Sequence, residues 1–83
     1  SKAGPHLNLG RMFVERKRYQ AAAEAFQEAL RIDPKNVDAA ILAGDAWRLF
    51  GSSINAKRFY RKALELDPDE PRALAGVGIV LIN

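Results

Sequence analysis

Few side chains in this sequence are of the types that carry out catalysis, and they do not form a group. His6 is the only histidine and cysteine is absent, so the chain has neither the usual ligands of zinc nor a thiol nucleophile. Glu24 and Glu28 stand four residues apart, a spacing that puts both carboxylates on one side of a helix. Acid–base catalysis requires such groups beside a titratable partner in a pocket. We therefore predict no enzyme activity, no metal site and no cofactor.

Basic charge is clustered in two places, at Arg16-Lys17-Arg18 and between residues 57 and 62. Four residues with helical spacing form what we name the basic stripe: Lys57, Arg58, Arg61 and Lys62. Such a stripe is usually a solvated surface, and we expect surface ion pairs with Glu24 and Glu28 on a neighbouring helix. The stripe also supports an alternative function, electrostatic binding of nucleic acid or acidic lipid. Nucleic acid is the weaker choice, because the aromatic residues occupy packing positions.

A six-residue segment recurs along the chain and indicates how these side chains are positioned. Residues 29–34 read ALRIDP and residues 63–68 read ALELDP, an offset of 34 residues. A fixed period of this length is typical of stacked helical hairpins rather than of one globular core. Each Asp-Pro pair predicts the end of a helix, because proline has no N–H to donate and restricts the residue before it.

Capping residues predict where the other helices begin and end. Apolar spacing from Leu7 to Val14 predicts the first helix, with Pro5 in its first turn. Asn36 is a favourable N-cap for the third helix, and Gly51 is placed to end that helix in a left-handed conformation. A fifth helix begins at Pro71. The connections are only a few residues long, so successive helices are expected to be antiparallel neighbours.

Small and large residues recur at fixed registers. Gly10, Gly44 and Gly78 stand one period apart, as do Phe26 and Tyr60. Glycine inside a helix is less favourable than alanine by about 0.5–1 kcal/mol. Its repetition at one register therefore predicts close approach of a neighbouring helix, with the large side chains filling the space beside it.

These registers resemble the tetratricopeptide repeat, whose pattern reads W-x2-L-G-x2-Y, then A-x3-F, then P. The chain matches it with Leu9-Gly10-x2-Phe13, Ala22-x3-Phe26 and Pro34, and again with Gly44-x2-Trp47, Ala56-x3-Tyr60 and Pro68. The resemblance implies an all-α fold, an α–α superhelix (solenoid) of two helical hairpins plus one terminal helix. It also implies a single domain with repeat 1 at about 3–36, repeat 2 at about 37–70 and a partial repeat 3 at about 71–83.

The resemblance further implies a protein–protein interaction scaffold that binds a peptide or helix of a partner protein in a concave groove. In this family the first helix of each hairpin lines that groove. The matching positions are Leu7, Asn8, Arg11, Val14, Ile41, Leu42, Asp45, Arg48, Leu49, Arg72 and Ile79. Apolar anchors of the partner would pack on the aliphatic residues, and the arginines would select acidic flanks. The basic and asparagine clamp that some members use for a chaperone's C-terminal carboxylate is not matched, since Arg11 stands where asparagine is expected.

The fifth helix is apolar nearly all round, whereas terminal repeats normally have a polar outer face. Leu74, Val77 and Leu81 are expected to pack back on the second hairpin, but Ile79, Val80 and Ile82 cannot all reach it. Two hypotheses follow. Either the chain is a piece of a longer array, or it self-associates through Ile79, Val80 and Ile82 as a symmetric homodimer.

The cellular setting is expected to be cytoplasmic. No apolar run approaches the roughly 18 residues needed to cross a bilayer, so no membrane span is predicted. The absence of cysteine fits a reducing compartment, and no signal-peptide pattern opens the chain.

Overall fold

The computed structural model describes residues 2–82, with side chains placed as far as Val80. Within this range it contains five helices and no strand. They are α1 (Gly4–Glu15), α2 (Tyr19–Ile32), α3 (Val37–Phe50), α4 (Ser53–Leu66) and α5 (Pro71–Ile82). Each helix packs against the next along the chain, and α5 also contacts α3. The predicted all-α solenoid is confirmed, with α1, α3 and α5 in one layer and α2 and α4 in the other.

The capping residues act largely as the sequence predicts. The Asn36 side chain accepts a hydrogen bond from the Ala39 N–H at 3.1 Å and caps α3. Gly51 ends α3 with φ 103°, in the left-handed region. Ser52 precedes α4, but its hydroxyl accepts a hydrogen bond from the Asn55 amide at 3.0 Å instead of capping the backbone.

A left-handed residue also ends α1, and here it is a lysine. Lys17 has φ 60°, and the N–H of Arg18 donates to the Phe13 carbonyl at 2.9 Å. This residue stands one repeat before Gly51, so both hairpins turn at the same register. A side chain in this conformation is strained by about 1–2 kcal/mol.

The core is built mainly from alanine around two rings. Phe26 and Tyr60 are the largest fully buried aromatic side chains in the described part of the chain. A Cβ placed on Gly10 would overlap the ring of Phe26, and one placed on Gly44 would lie 2.8 Å from the ring of Tyr60. The predicted close approaches at these two glycines are confirmed. At Gly78 no atom of another described helix lies within 4 Å of such a Cβ.

The rotation of α5 differs from the prediction. Val80 is 5% exposed and packs against Tyr60, so its expected place among the uncovered residues was wrong. Leu74, expected to pack back on the hairpin, is 52% exposed. The reason is that α5 turns Ala73 and Gly76 toward α4, where small residues allow the two backbones to approach.

Ile79 and Val77 of α5 are placed as the sequence predicts. Ile79 is 42% exposed, and Val77 packs partly against the buried group that contains Tyr60. The side chains of Leu81 and Ile82 lie outside the described residues. None of the helices in residues 2–82 is long and apolar enough to cross a membrane.

Candidate functional site

The predicted groove residues all lie on α1, α3 and α5, the helices of one layer. Their accessibility differs. Asn8, Arg11 and Arg72 are exposed, and Leu49 and Ile79 are exposed by 46% and 42%. The others, apart from Ile41, are half-buried: Leu7, Val14, Leu42, Asp45 and Arg48. The surface therefore offers two uncovered aliphatic side chains between polar ones.

Ile41 does not belong to this surface, and its prediction as a groove residue was wrong. Its side chain is 1% exposed and packs with Ala63 of α4 and Ala73 of α5. The start of α5 covers it, because Ala73 is small enough to let that helix come close. A partner cannot contact Ile41 without first displacing α5.

Asp45 and Arg48 are held in place by a tyrosine from the other layer. The Tyr60 hydroxyl donates a hydrogen bond to Oδ1 of Asp45 and accepts one from Nε of Arg48 at 3.1 Å. An Arg48 nitrogen also lies 3.7 Å from the Asp45 carboxylate. Burial, helped by the hydrogen bond to Asp45, raises the pKa of Tyr60 to about 12. The hydroxyl is therefore neutral at physiological pH and remains a donor to the carboxylate.

Arg72 is already paired on the surface. It bonds Asp38 of α3 at 2.7 Å and Glu70 at 2.6 Å, and these hydrogen bonds, that to Glu70 first, raise the pKa of its guanidinium. Exposed pairs of this kind contribute about 0–1 kcal/mol each. An acidic group on a partner would compete with two carboxylates for Arg72, whereas Arg11 forms no ion pair within residues 2–82.

The basic stripe lies on α4, in the other layer. Its expected ion pairs with Glu24 and Glu28 do not form among the described residues. Glu28 instead pairs with Arg31, one turn away on its own helix, and that hydrogen bond lowers the pKa of Glu28. Lys62 approaches Glu65 at 3.9 Å.

Two recesses adjoin the stripe, and the sequence did not predict them. One, of about 530 Å³, lies between α2 and α4 and is lined by Gln27, Leu30, Arg58, Phe59, Lys62 and Glu65. The second, of about 490 Å³, is lined by Ile54, Asn55, Lys57, Arg58, Arg61 and Glu65. The 34-residue register could have predicted that residues 24–30 lie beside residues 58–64. It could not have predicted a recess between them. No group of three or more potential metal ligands occurs in the part of the chain that the structure describes.

A family model for the TPR repeat matches residues 5–46, and a model for the tetratricopeptide repeat matches residues 38–70. The Arabidopsis OM64 TPR domain is similar in structure, with a TM-score of 0.88 and 28% sequence identity. That match covers 96% of this chain and 66% of the solved one.

Longer proteins contain segments similar to this chain. Superkiller protein 3 of Schizosaccharomyces pombe is 35% identical over 65 residues, which is 78% of this chain and 5% of that protein. The probable UDP-N-acetylglucosamine–peptide N-acetylglucosaminyltransferase SPINDLY of Solanum lycopersicum is 37% identical over 60 residues, 72% of this chain and 6% of that protein. The chain thus spans a small fraction of these relatives. The helical hairpins, the glycine–aromatic contacts and the matching family models agree, and the chain belongs to the tetratricopeptide repeat family.

Proposed function

We propose that the surface formed by α1, α3 and α5 binds a peptide or helix of a partner protein. Tetratricopeptide repeat domains in general bind protein partners. The observation that carries the proposal for this surface is the exposure of Leu49 and Ile79 beside polar groups that are already oriented. These two aliphatic side chains are 46% and 42% exposed. Covering them with a partner makes the free energy of binding more favourable.

Recognition would combine burial with a few directed polar contacts. Leu49 and the half-buried Leu42 offer an aliphatic surface for an apolar anchor. Tyr60 fixes Arg48 and Asp45, so a partner that bonds these groups does not have to order them first, which reduces the entropic cost of binding. Arg11 is the exposed cation of this layer without an ion pair in the described residues, and it would select an acidic flank.

Selection from a displayed library of random 12-residue peptides tests this proposal, followed by affinity measurement of the selected peptides. Leu49→Glu should weaken their binding by about tenfold or more, because a charge replaces an apolar contact surface. Ile54→Glu is the matched control, since Ile54 is an exposed aliphatic residue on α4, at 85%. Selected peptides that bind Leu49→Glu and wild type equally would contradict the proposal.

A further inference from the structure

The recess of about 530 Å³ between α2 and α4, which we name the back groove, combines two kinds of lining. Leu30 and Phe59 are half-buried and give it an apolar part. Gln27, Arg58 and Lys62 add hydrogen-bond donors. Because Gln27 Oε1 already accepts a hydrogen bond from the Trp47 indole at 2.6 Å, it is the amide NH₂ of Gln27 that remains for a ligand.

Positive charge in and beside the back groove is poorly compensated. Arg58 forms no ion pair within residues 2–82, and neither do Lys57 and Arg61 in the adjoining recess. Lys62 has only a distant pairing at 3.9 Å with Glu65. The wall from α2 contributes no carboxylate to the lining. The groove therefore attracts anionic groups while its apolar part favours a hydrocarbon side chain.

We infer that the back groove binds an acidic segment of a partner protein that places one apolar side chain between Leu30 and Phe59. Carboxylates flanking that side chain would bond Arg58 and Lys62. The segment is expected to be acidic because the cations of the groove lack ion-pair partners. Its anchor is expected to be apolar because the recess has an apolar part. This site is on the opposite layer from α1, α3 and α5 and does not depend on what binds there.

The same lining disfavours a nucleic acid and a lipid surface. Glu65 lines both recesses, so a ligand with a regular row of phosphates meets a carboxylate there, whereas a peptide can place an uncharged residue at that point. A recess between two helices admits a side chain more readily than a flat layer of lipid headgroups does.

Fluorescence anisotropy with defined probes tests the inference on the full chain. The probe is a labelled 12-residue peptide of alternating glutamate and serine with one central phenylalanine, compared with the same peptide carrying serine in place of phenylalanine. We expect the phenylalanine peptide to bind at least about tenfold more tightly, because only it covers the apolar part. This comparison leaves the protein unchanged and so does not depend on the folding of any variant.

Protein variants then locate the site. Arg58→Glu with Lys62→Glu should weaken the phenylalanine peptide by about tenfold or more. Arg16→Glu with Arg18→Glu, an equal change of charge at the exposed corner between α1 and α2, should leave its affinity within about threefold. Three results would overturn the inference: no binding of either peptide, equal loss in both double variants, or tighter binding of a 12-nucleotide single strand or of phosphatidylserine vesicles than of the phenylalanine peptide.

Discussion

Glycine at residues 10 and 44 is required by the ring that each one faces. In isolation an alanine would favour either helix by about 0.5–1 kcal/mol. The ring of Phe26 or Tyr60 reverses that preference, because it occupies the space into which a methyl group would project. The two positions are thus a direct consequence of the buried aromatic residues one helix later.

Gly44→Ala should therefore lower the free energy of unfolding by about 1–3 kcal/mol, since Tyr60 has to shift. Gly78→Ala is the matched control at the same register, where no atom of another described helix is within 4 Å of the new Cβ, and it should be neutral or slightly stabilising. Urea unfolding followed by circular dichroism measures both. Equal stability of the two variants would show that the ring at Gly44 moves aside freely.

Lys17 holds the left-handed position that Gly51 holds one repeat later. Lys17→Gly should raise the free energy of unfolding by about 0.5–1 kcal/mol, as relief of strain exceeds the added entropy of the unfolded chain. Lys17→Ala retains the Cβ and removes only the charge and stem, so it should give no such gain. Thermal unfolding of the three proteins checks this, and a gain in the alanine variant would assign the effect to the lysine side chain instead of the backbone.

At the scale of helices, each first helix of a hairpin has one side for the preceding helix and another for the following one. In α3, Ala39, Ala43 and Ala46 pack on buried residues of α2 or on Ala3, while Gly44 faces Tyr60 of α4. One period later, the preceding side of α5 consists of Ala73, Val77 and Val80. The side for a following helix consists of Leu74 and Gly78, and this side is uncovered in the described residues.

The need of each helix for one side toward the preceding helix and another toward the following one explains which parts of the fold the sequence could predict. The helix ends depend on local capping residues, and the packing positions of Phe26 and Tyr60 depend on one repeated register. Both could therefore be predicted from the sequence. The rotation of α5 was not, because its apolar residues surround the whole helix and give no preferred side. Ile41 was misplaced for a related reason: its burial depends on how closely α5 approaches, which is set by Ala73 and not by the residues around Ile41.

The polar part of the candidate site could not be predicted either. Asp45 and Arg48 were placed on the binding surface, but the hydroxyl that orients them comes from Tyr60, a residue that the repeat pattern assigns to packing. Likewise, Gln27 gives no sign in the sequence that it bonds Trp47. Side-chain contacts between helices depend on distances that a repeat register does not contain.

At the scale of the molecule, α5 leaves apolar surface uncovered at one end of the stack. Leu74 and Ile79 are exposed by 52% and 42%, and we expect a homodimer through this surface at millimolar concentration. Leu74→Lys with Ile79→Lys should abolish it in sedimentation experiments, because each protomer would bury two charges at the interface. Leu9→Lys with Met12→Lys, at exposed residues of α1, is the control. A monomer at every concentration, or equal loss in both variants, would contradict this assignment.

Tyr60 joins α5 to the part of the proposed binding surface that lies on α3. Its ring lies between Gly44 of α3 and Gly76 of α5, and its hydroxyl holds Asp45 and Arg48. If α5 lifted away, the ring would lose one of its walls, and the two charged side chains would lose the group that orients them. We therefore expect thermodynamic linkage: a ligand that holds α5 in place should strengthen binding at Asp45 and Arg48, and a ligand bound there should favour the docked position of α5 by the same factor.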